Sequence, residues 1–319
     1  MKPVYVYLLA GLLFVFGVFV GRIYKAQVPP TTSIREANSE YKFVHPLLLT
    51  QSSIPDPSQE LNTVRMAVKS YIDGAEADGK ASNISVYLRD LESGRWTGVN
   101  ENDQYAPGSM LKVAILLGYL QAGDDSPNIL SSLYYYDPQI DEGQYFQPAK
   151  LLPRGEHTVS QLLTNMIVES DNTATIVLAN AHSPIVEKVY KDLQLPDPQV
   201  GVDFMSPKQF AAFWRVLYNG TYLSHDLSEE ALRLLSTTTF TQGLVAGLPK
   251  GTQVAHKFGE HTTVSPVAAP IHELHDCGIV YPKNAGPYFI CIMTRGNDFK
   301  NLQTAIADTS KIVYQYMAK

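Results

Sequence analysis

Three short segments of this 319-residue chain carry the residue types that nucleophilic acyl transfer needs. Ser109-Met110-Leu111-Lys112 sets a hydroxyl three positions before an amine, Ser170-Asp171-Asn172 adds a second hydroxyl and a carboxamide, and Lys257-Phe258-Gly259 adds a cation. A serine hydroxyl is a weak nucleophile until a neighbouring base takes its proton. On a helix the i+3 spacing puts Lys112 on the same face as Ser109, within its reach. A charged lysine accepts no proton. Burial and a second nearby cation, Lys257, would both push the Lys112 amine toward its neutral form.

Context separates this Ser-x-x-Lys from another, Ser39-Glu40-Tyr41-Lys42, which lies in linker-like sequence. Tyr105-Ala106-Pro107-Gly108 reads as a turn, and the apolar run Val113 to Leu120 that follows predicts a buried helix. Ser109 is thus expected at a helix N-terminus, where unpartnered backbone N–H groups would stabilise an oxyanion.

The surrounding elements follow from periodicity. Leu61, Val64, Val68, Tyr71 and Ile72 recur at helical spacing and predict a helix ending near Gly74. Ile84 to Leu88 alternates, Glu92-Ser93-Gly94 turns and Arg95 to Val99 returns, which is a hairpin. Helical patterns fill Val159 to Val168, Asn172 to Ala181 and Pro207 to Tyr218. Strands resume at Gln253 to Phe258, Gly278 to Tyr281 and Tyr288 to Met293, and Thr304 to Tyr316 closes as a helix. Strands at both ends with helices between predict an α+β domain, in which N- and C-terminal helices pack on one antiparallel sheet beside a mainly helical subdomain.

An apolar content of 45% and a charged content of 18% are those of a folded protein, and a net charge of −6 argues against a nucleic-acid partner. Pro3 to Gly21 carries no charge and as a helix would span about 28 Å, near the thickness of a bilayer core. Its length and the lack of a small-residue cleavage site favour an uncleaved membrane anchor within residues 1–25 over a cleaved signal. Flanking charges leave the orientation open. Residues 26–57, with Pro29-Pro30 and Pro55-Asp56-Pro57, read as a stalk whose Pro46 to Leu49 could dock on the domain, and residues 58–319 as the globular domain.

In order and context the motifs resemble class A β-lactamases and the related penicillin-binding D,D-peptidases, over about residues 58–319. Thr158 to Leu163 leading into the second motif, and Tyr145 ahead of Pro148, support the likeness. The resemblance implies that Ser109 is acylated, that Lys112 is its base or proton relay, and that Ser170 passes a proton to the departing nitrogen. It further implies that Asn172 binds the substrate amide, that Lys257 steers a substrate carboxylate, and that the N–H groups of Ser109 and Glu260, just after Gly259, form the oxyanion hole. No cofactor or metal is implied. The implied ligand is a β-lactam or a peptidoglycan stem peptide, which requires the domain to lie outside the cytoplasm. A non-catalytic module that keeps the fold to bind a cell-wall or peptide ligand is the alternative.

Two departures stand out. Phe258 replaces the hydroxyl residue that the third motif usually carries, leaving His261, Thr262 or Thr263 as substitutes, and no loop glutamate follows the second motif to activate a deacylating water. Glu187, the only glutamate between Asn172 and Asp203, reads as a solvated helix-face charge. Asp171 reads as a helix cap and Glu169 as structural. His272-Glu273-Leu274-His275 with Cys277 lacks the i, i+4 spacing of a zinc helix. Tyr145 is a candidate wall of the site. Cys277 and Cys291 lie symmetrically about Asn284 in an expected hairpin and are positioned to form a disulfide.

Overall fold

The computed structural model describes residues 33–35, 41–50, 59–126, 128–198 and 202–318. Strands β1 (Ser33–Arg35) and β2 (Leu47–Thr50) form a small antiparallel pair. Next come α1 (Asn62–Ala77), β3 (Asn83–Asp90) and β4 (Trp96–Val99), the expected helix and hairpin. Then follow α2 (Lys112–Asp125), β5 (Leu133–Tyr136), β6 (Gly155–Thr158), α3 (Val159–Val168), α4 (Asn172–Ala181), α5 (Ser183–Asp192), α6 (Pro207–Asn219) and α7 (His225–Leu235). The chain ends with β7 (Gln253–Thr263), β8 (Ile271–Tyr281), β9 (Tyr288–Gly296) and α8 (Phe299–Met317).

The main sheet is antiparallel in the order β4-β3-β9-β8-β7. Its two faces build two cores, because side chains alternate along a strand. On β9, Phe289, Cys291 and Met293 enter a core shared with α2, α3, α6 and α7, while Tyr288, Ile290 and Ile292 enter one shared with α1 and α8. β8 runs longer than its pattern suggests because Glu273 to Cys277 are buried on both faces and lose the polar–apolar alternation, β7 extends to Thr263 by pairing with it, and α8 starts at Phe299 because the Asp298 side chain caps it. Cys277 and Cys291 face each other in the β8–β9 register and are bonded, with Cα atoms 4.0 Å apart.

The chain docks on the domain earlier than residue 58, through residues 41–45. Phe43 and Val44 are buried, Glu229 on α7 accepts the N–H groups of Lys42, Phe43 and Val44, and His45 N–H donates to Tyr218 O. Among the described residues no helix is long and apolar enough to cross a membrane, and Pro3 to Gly21 lies outside them.

Candidate active site

Gly108 to Leu111 forms a 3₁₀ turn that runs straight into α2. Ser109 therefore sits one turn before the α-helix rather than within it. Lys112 N–H donates to the Ser109 carbonyl, and the three-residue period of such a turn eclipses the side chains at i and i+3. Apolar residues on every side of α2 bury Lys112, while Ser109 stays half-buried.

The turn is pressed against β7. Gly108 has φ of 54°, and a Cβ there would fall 2.2 Å from Glu260 O; a Cβ on Gly259 would fall 2.2 Å from Pro107 O. Only two glycines let these backbones meet. The contact brings together the two stretches whose N–H groups, at Ser109 and Glu260, the resemblance assigns to one oxyanion hole.

Both lysines converge on Ser170. Lys112 Nζ donates to Asn172 Oδ1 at 2.7 Å, to Ser170 O at 2.6 Å and to Ser170 Oγ at 3.2 Å. Lys257 Nζ donates to the same Oγ at 2.9 Å and to Phe258 O at 3.0 Å. Two buried ammonium groups this close are costly, and deprotonation relieves the cost. Burial lowers Lys112 to about 7, opposed by Asp171, Glu260 and Asp141. Lys257 is lowered well below its ordinary value, by burial first and by Lys112 second, against Asp276 and Glu260.

Ser170 is held in a strained conformation, with φ of 60° in the left-handed region, at a cost of about 1–2 kcal/mol for a residue with a Cβ. Its neighbours hold it there. Asp171 caps α4 by accepting from Thr173 N and Ala174 N, and it also accepts from Tyr136 Oη at 2.7 Å and Asn165 Nδ2 at 2.6 Å. Glu169 accepts the N–H groups of Ala149 and Lys150. Both carboxylates are structural, as their positions suggested, and Glu187 is exposed on α5.

A strap at residues 141–147 supplies contacts that sequence patterns did not reveal. Asn172 Nδ2 donates to Asp141 Oδ2 at 2.7 Å and to Gln144 Oε1 at 3.3 Å. The Glu260 carboxylate accepts Tyr145 N and Phe146 N, both at 3.0 Å, and burial raises its pKa. The strap thus spans from α4 to β7. Tyr145 is an exposed rim residue stacked on Phe299 at 4.5 Å, and it is the Phe146 ring that reaches Phe258, at 5.6 Å. The one advance signal was Tyr145 ahead of Pro148. Side-chain reach from an aperiodic loop leaves no pattern to read.

Phe258 lies on the opposite face of β7 from Lys257 by strand alternation, stacked on Phe240 at 4.0 Å. Of its proposed substitutes, Thr262 pairs with His272 across to β8. His275 instead donates from Nε2 to Ala106 O and accepts Thr294 N–H at Nδ1, and Glu273 binds Arg295. Among the described residues no group of three or more His, Cys, Asp or Glu is placed to hold a metal ion.

This arrangement has counterparts among known proteins. Residues 66–317 match the Beta-lactamase enzyme family. The chain belongs to that family. A member of the β-lactamase family built this way is a serine hydrolase of the β-lactamase and penicillin-binding type. The fold is shared with a mutant of PBP-A solved as an acyl-enzyme complex with penicillin G (TM-score 0.66, 21% identity, covering 80% of this chain and 96% of that one). It is also shared with the TLA-3 extended-spectrum β-lactamase (0.69, 20%, 81% and 99%) and with a class A β-lactamase from Mycobacterium abscessus (0.62, 21%, 78% and 98%). No curated protein matches the chain.

Proposed function

We propose that Ser109 forms an acyl-enzyme with β-lactams or with D-Ala-D-Ala peptidoglycan stems and that the adduct is released slowly. The observation that carries this is Lys112, buried, hydrogen-bonded to Asn172 and Ser170, and lowered to about 7, so that a large fraction is neutral at physiological pH. In acylation Ser109 Oγ bonds to the carbonyl carbon and its proton passes to Lys112. The carbon–nitrogen bond then breaks, and the nitrogen takes a proton from Ser170, which regains one from Lys112. Water must then attack the ester with a base of its own. The carboxylates that act on Lys112 are already engaged: Asp171 as cap, Glu260 by the strap, and Asp141 by Asn172 and Gly143.

Intact mass measurement after exposure to benzylpenicillin should show a lasting adduct that Ser109→Ala abolishes. Rapid hydrolysis of a chromogenic cephalosporin with no adduct would overturn slow release. The strap and Phe258 favour a second reading, a binding module without turnover, in which neither adduct nor hydrolysis occurs.

The same function puts the domain outside the cytoplasm, anchored through Pro3 to Gly21, and the Cys277–Cys291 disulfide suits an oxidising compartment. Protease added to intact cells should then digest the domain, and full protection would overturn this topology.

A further inference from the structure

A cavity of about 390 Å³ lies between residues 139–151 and the start of α4, and Asn172 is part of its wall. Lys112 bridges Asn172 Oδ1 and Ser170 Oγ, and Lys257 reaches that same hydroxyl. The nitrogen that leaves must come within hydrogen-bond reach of Ser170 Oγ to receive its proton. The amide that the resemblance gives to Asn172 is therefore a second one, in the portion that stays on Ser109. The cavity beside Asn172 is where the rest of that acyl portion goes.

The polar groups on this wall are arranged to accept. Gln147 Nε2 donates to Asp141 O at 2.7 Å and to Gln144 O, Gln144 Nε2 to Phe146 O at 2.9 Å, and Gln139 Nε2 to Asp137 O at 3.5 Å. All three amide nitrogens are thus engaged by loop carbonyls, and among the described residues no donor reaches Oε1 of Gln139 or Gln147. Asp141 adds a charge. Its carboxylate accepts Asn172 Nδ2 at 2.7 Å and Gly143 N at 3.0 Å, which leaves open roughly half of the about four acceptor positions of a carboxylate. Asp171, the other carboxylate on the wall, is already bonded to Thr173 N, Ala174 N, Tyr136 Oη and Asn165 Nδ2. No lysine, arginine or histidine is among the described lining residues, and Ile140, Pro148 and Leu151 set apolar surface beside the acceptors. A carboxylate placed here would meet lone pairs and a like charge. An ammonium brings three donors and no acceptor, and the apolar surface suits the carbon chain that carries it.

We infer that this cavity is an acyl-side subsite for a primary ammonium group, held by Asp141 and the unbonded glutamine carbonyls, so that the enzyme prefers acyl donors whose retained portion carries an amine. This rests on the acyl-enzyme reading above and deepens it.

Benzylpenicillin, ampicillin and carbenicillin share one ring system and its carboxylate, and differ at one carbon of the acyl side chain, which bears a hydrogen, an amine or a carboxylate. The second-order rate of adduct formation on the full chain is followed by intact mass below neutral pH, where the amine is charged, and each rate is divided by that penicillin's hydrolysis by hydroxide. Ampicillin should react faster than benzylpenicillin and at least about tenfold faster than carbenicillin, the size expected of a hydrogen bond to a charged group. Asp141→Asn should bring the ampicillin-to-carbenicillin ratio to within a few-fold of one, and a ratio cancels any change in the strap that affects all three alike. Ampicillin reacting no faster than the other two, or a preference that Asp141→Asn leaves intact, overturns the inference and leaves the acyl-enzyme reading standing. Absence of adduct with all three overturns that reading and the inference with it. The comparison on the unaltered protein decides even if Asp141→Asn fails to fold.

Discussion

Around Ser170 the two lysines are buried, each makes at least two hydrogen bonds, and they stand on α2 and β7, whereas the strap, a few ångströms away, sets loop backbone against Glu260 and the Phe146 ring against Phe258. In the proposed reaction the first region would serve proton transfer, which tolerates little displacement: Ser109, Lys112, Ser170 and Lys257 come from three separate stretches of chain, and glycines at 108 and 259 bring two of those together. The second region decides what can approach. A protein can therefore keep one region while changing the other, and the two should respond differently to substitution.

The largest effects belong to the inner region. Ser109→Ala should eliminate the adduct altogether, and Lys112→Ala should slow acylation by about 10²- to 10⁴-fold, the usual contribution of a general base. Lys112→Arg should not rescue it, since a guanidinium stays protonated. If acylation survived Lys112→Ala nearly intact, the base would have to be Lys257, and the roles of the two amines would exchange.

Next is pH. The acylating form requires neutral Lys112, so the rate should climb about tenfold per pH unit below the apparent value of about 7 and level off above it. Because folding lowers this amine, its stability penalty grows as pH falls from the unfolded value of 10.5 toward 7 and is constant below. A flat rate between pH 5 and 8 would mean that Lys112 does not take the serine proton.

Smaller effects belong to the strap. Glu260→Gln weakens the hold on Tyr145 N and Phe146 N, and Asp141→Asn weakens the hold on Asn172 Nδ2. Both contacts are partly open to solvent, so each loss should be a fraction of the roughly 1.5–3 kcal/mol of a charged hydrogen bond. If the strap competes with substrate for Asn172 and the β7 edge, either variant should acylate about two- to tenfold faster. Slower acylation in both would make the strap a part of the binding surface instead.

The contrast also explains what could be read in advance. The helix–hairpin start, α3 and α4 to the residue, and the three motifs were legible because they depend on periodicity and on short local spacing. The α+β class followed from element order. Less legible was anything set by long-range contact. Asp141 and Gln144 reach Asn172 from a loop without a period, and the left-handed backbone at Ser170 is imposed by Lys112 and by the α4 cap. Docking of residues 41–45 depends on Glu229, far away in sequence, which no local pattern signals.

The smallest effect on chemistry, and a sizeable one on stability, should come from the disulfide. Cys277 and Cys291 join β8 to β9 in the core that faces the helical subdomain, and the catalytic strand edge lies on β7. A cross-link with a sequence separation of 14 restricts the unfolded chain by about 3 kcal/mol in the chain-entropy picture. The double variant Cys277→Ser and Cys291→Ser also buries two hydroxyls in an apolar core, which adds to the loss. Its unfolding midpoint in denaturant should drop clearly, while its rate of acylation under native conditions should stay within about twofold, because sheet register is fixed by the β8–β9 ladder on either side of the bond. A thiol assay on denatured, unreduced protein should find no free thiols. Two free thiols would refute the bond, and a large fall in acylation without unfolding would show that the inner region is less insulated from the sheet core than its own hydrogen bonds suggest.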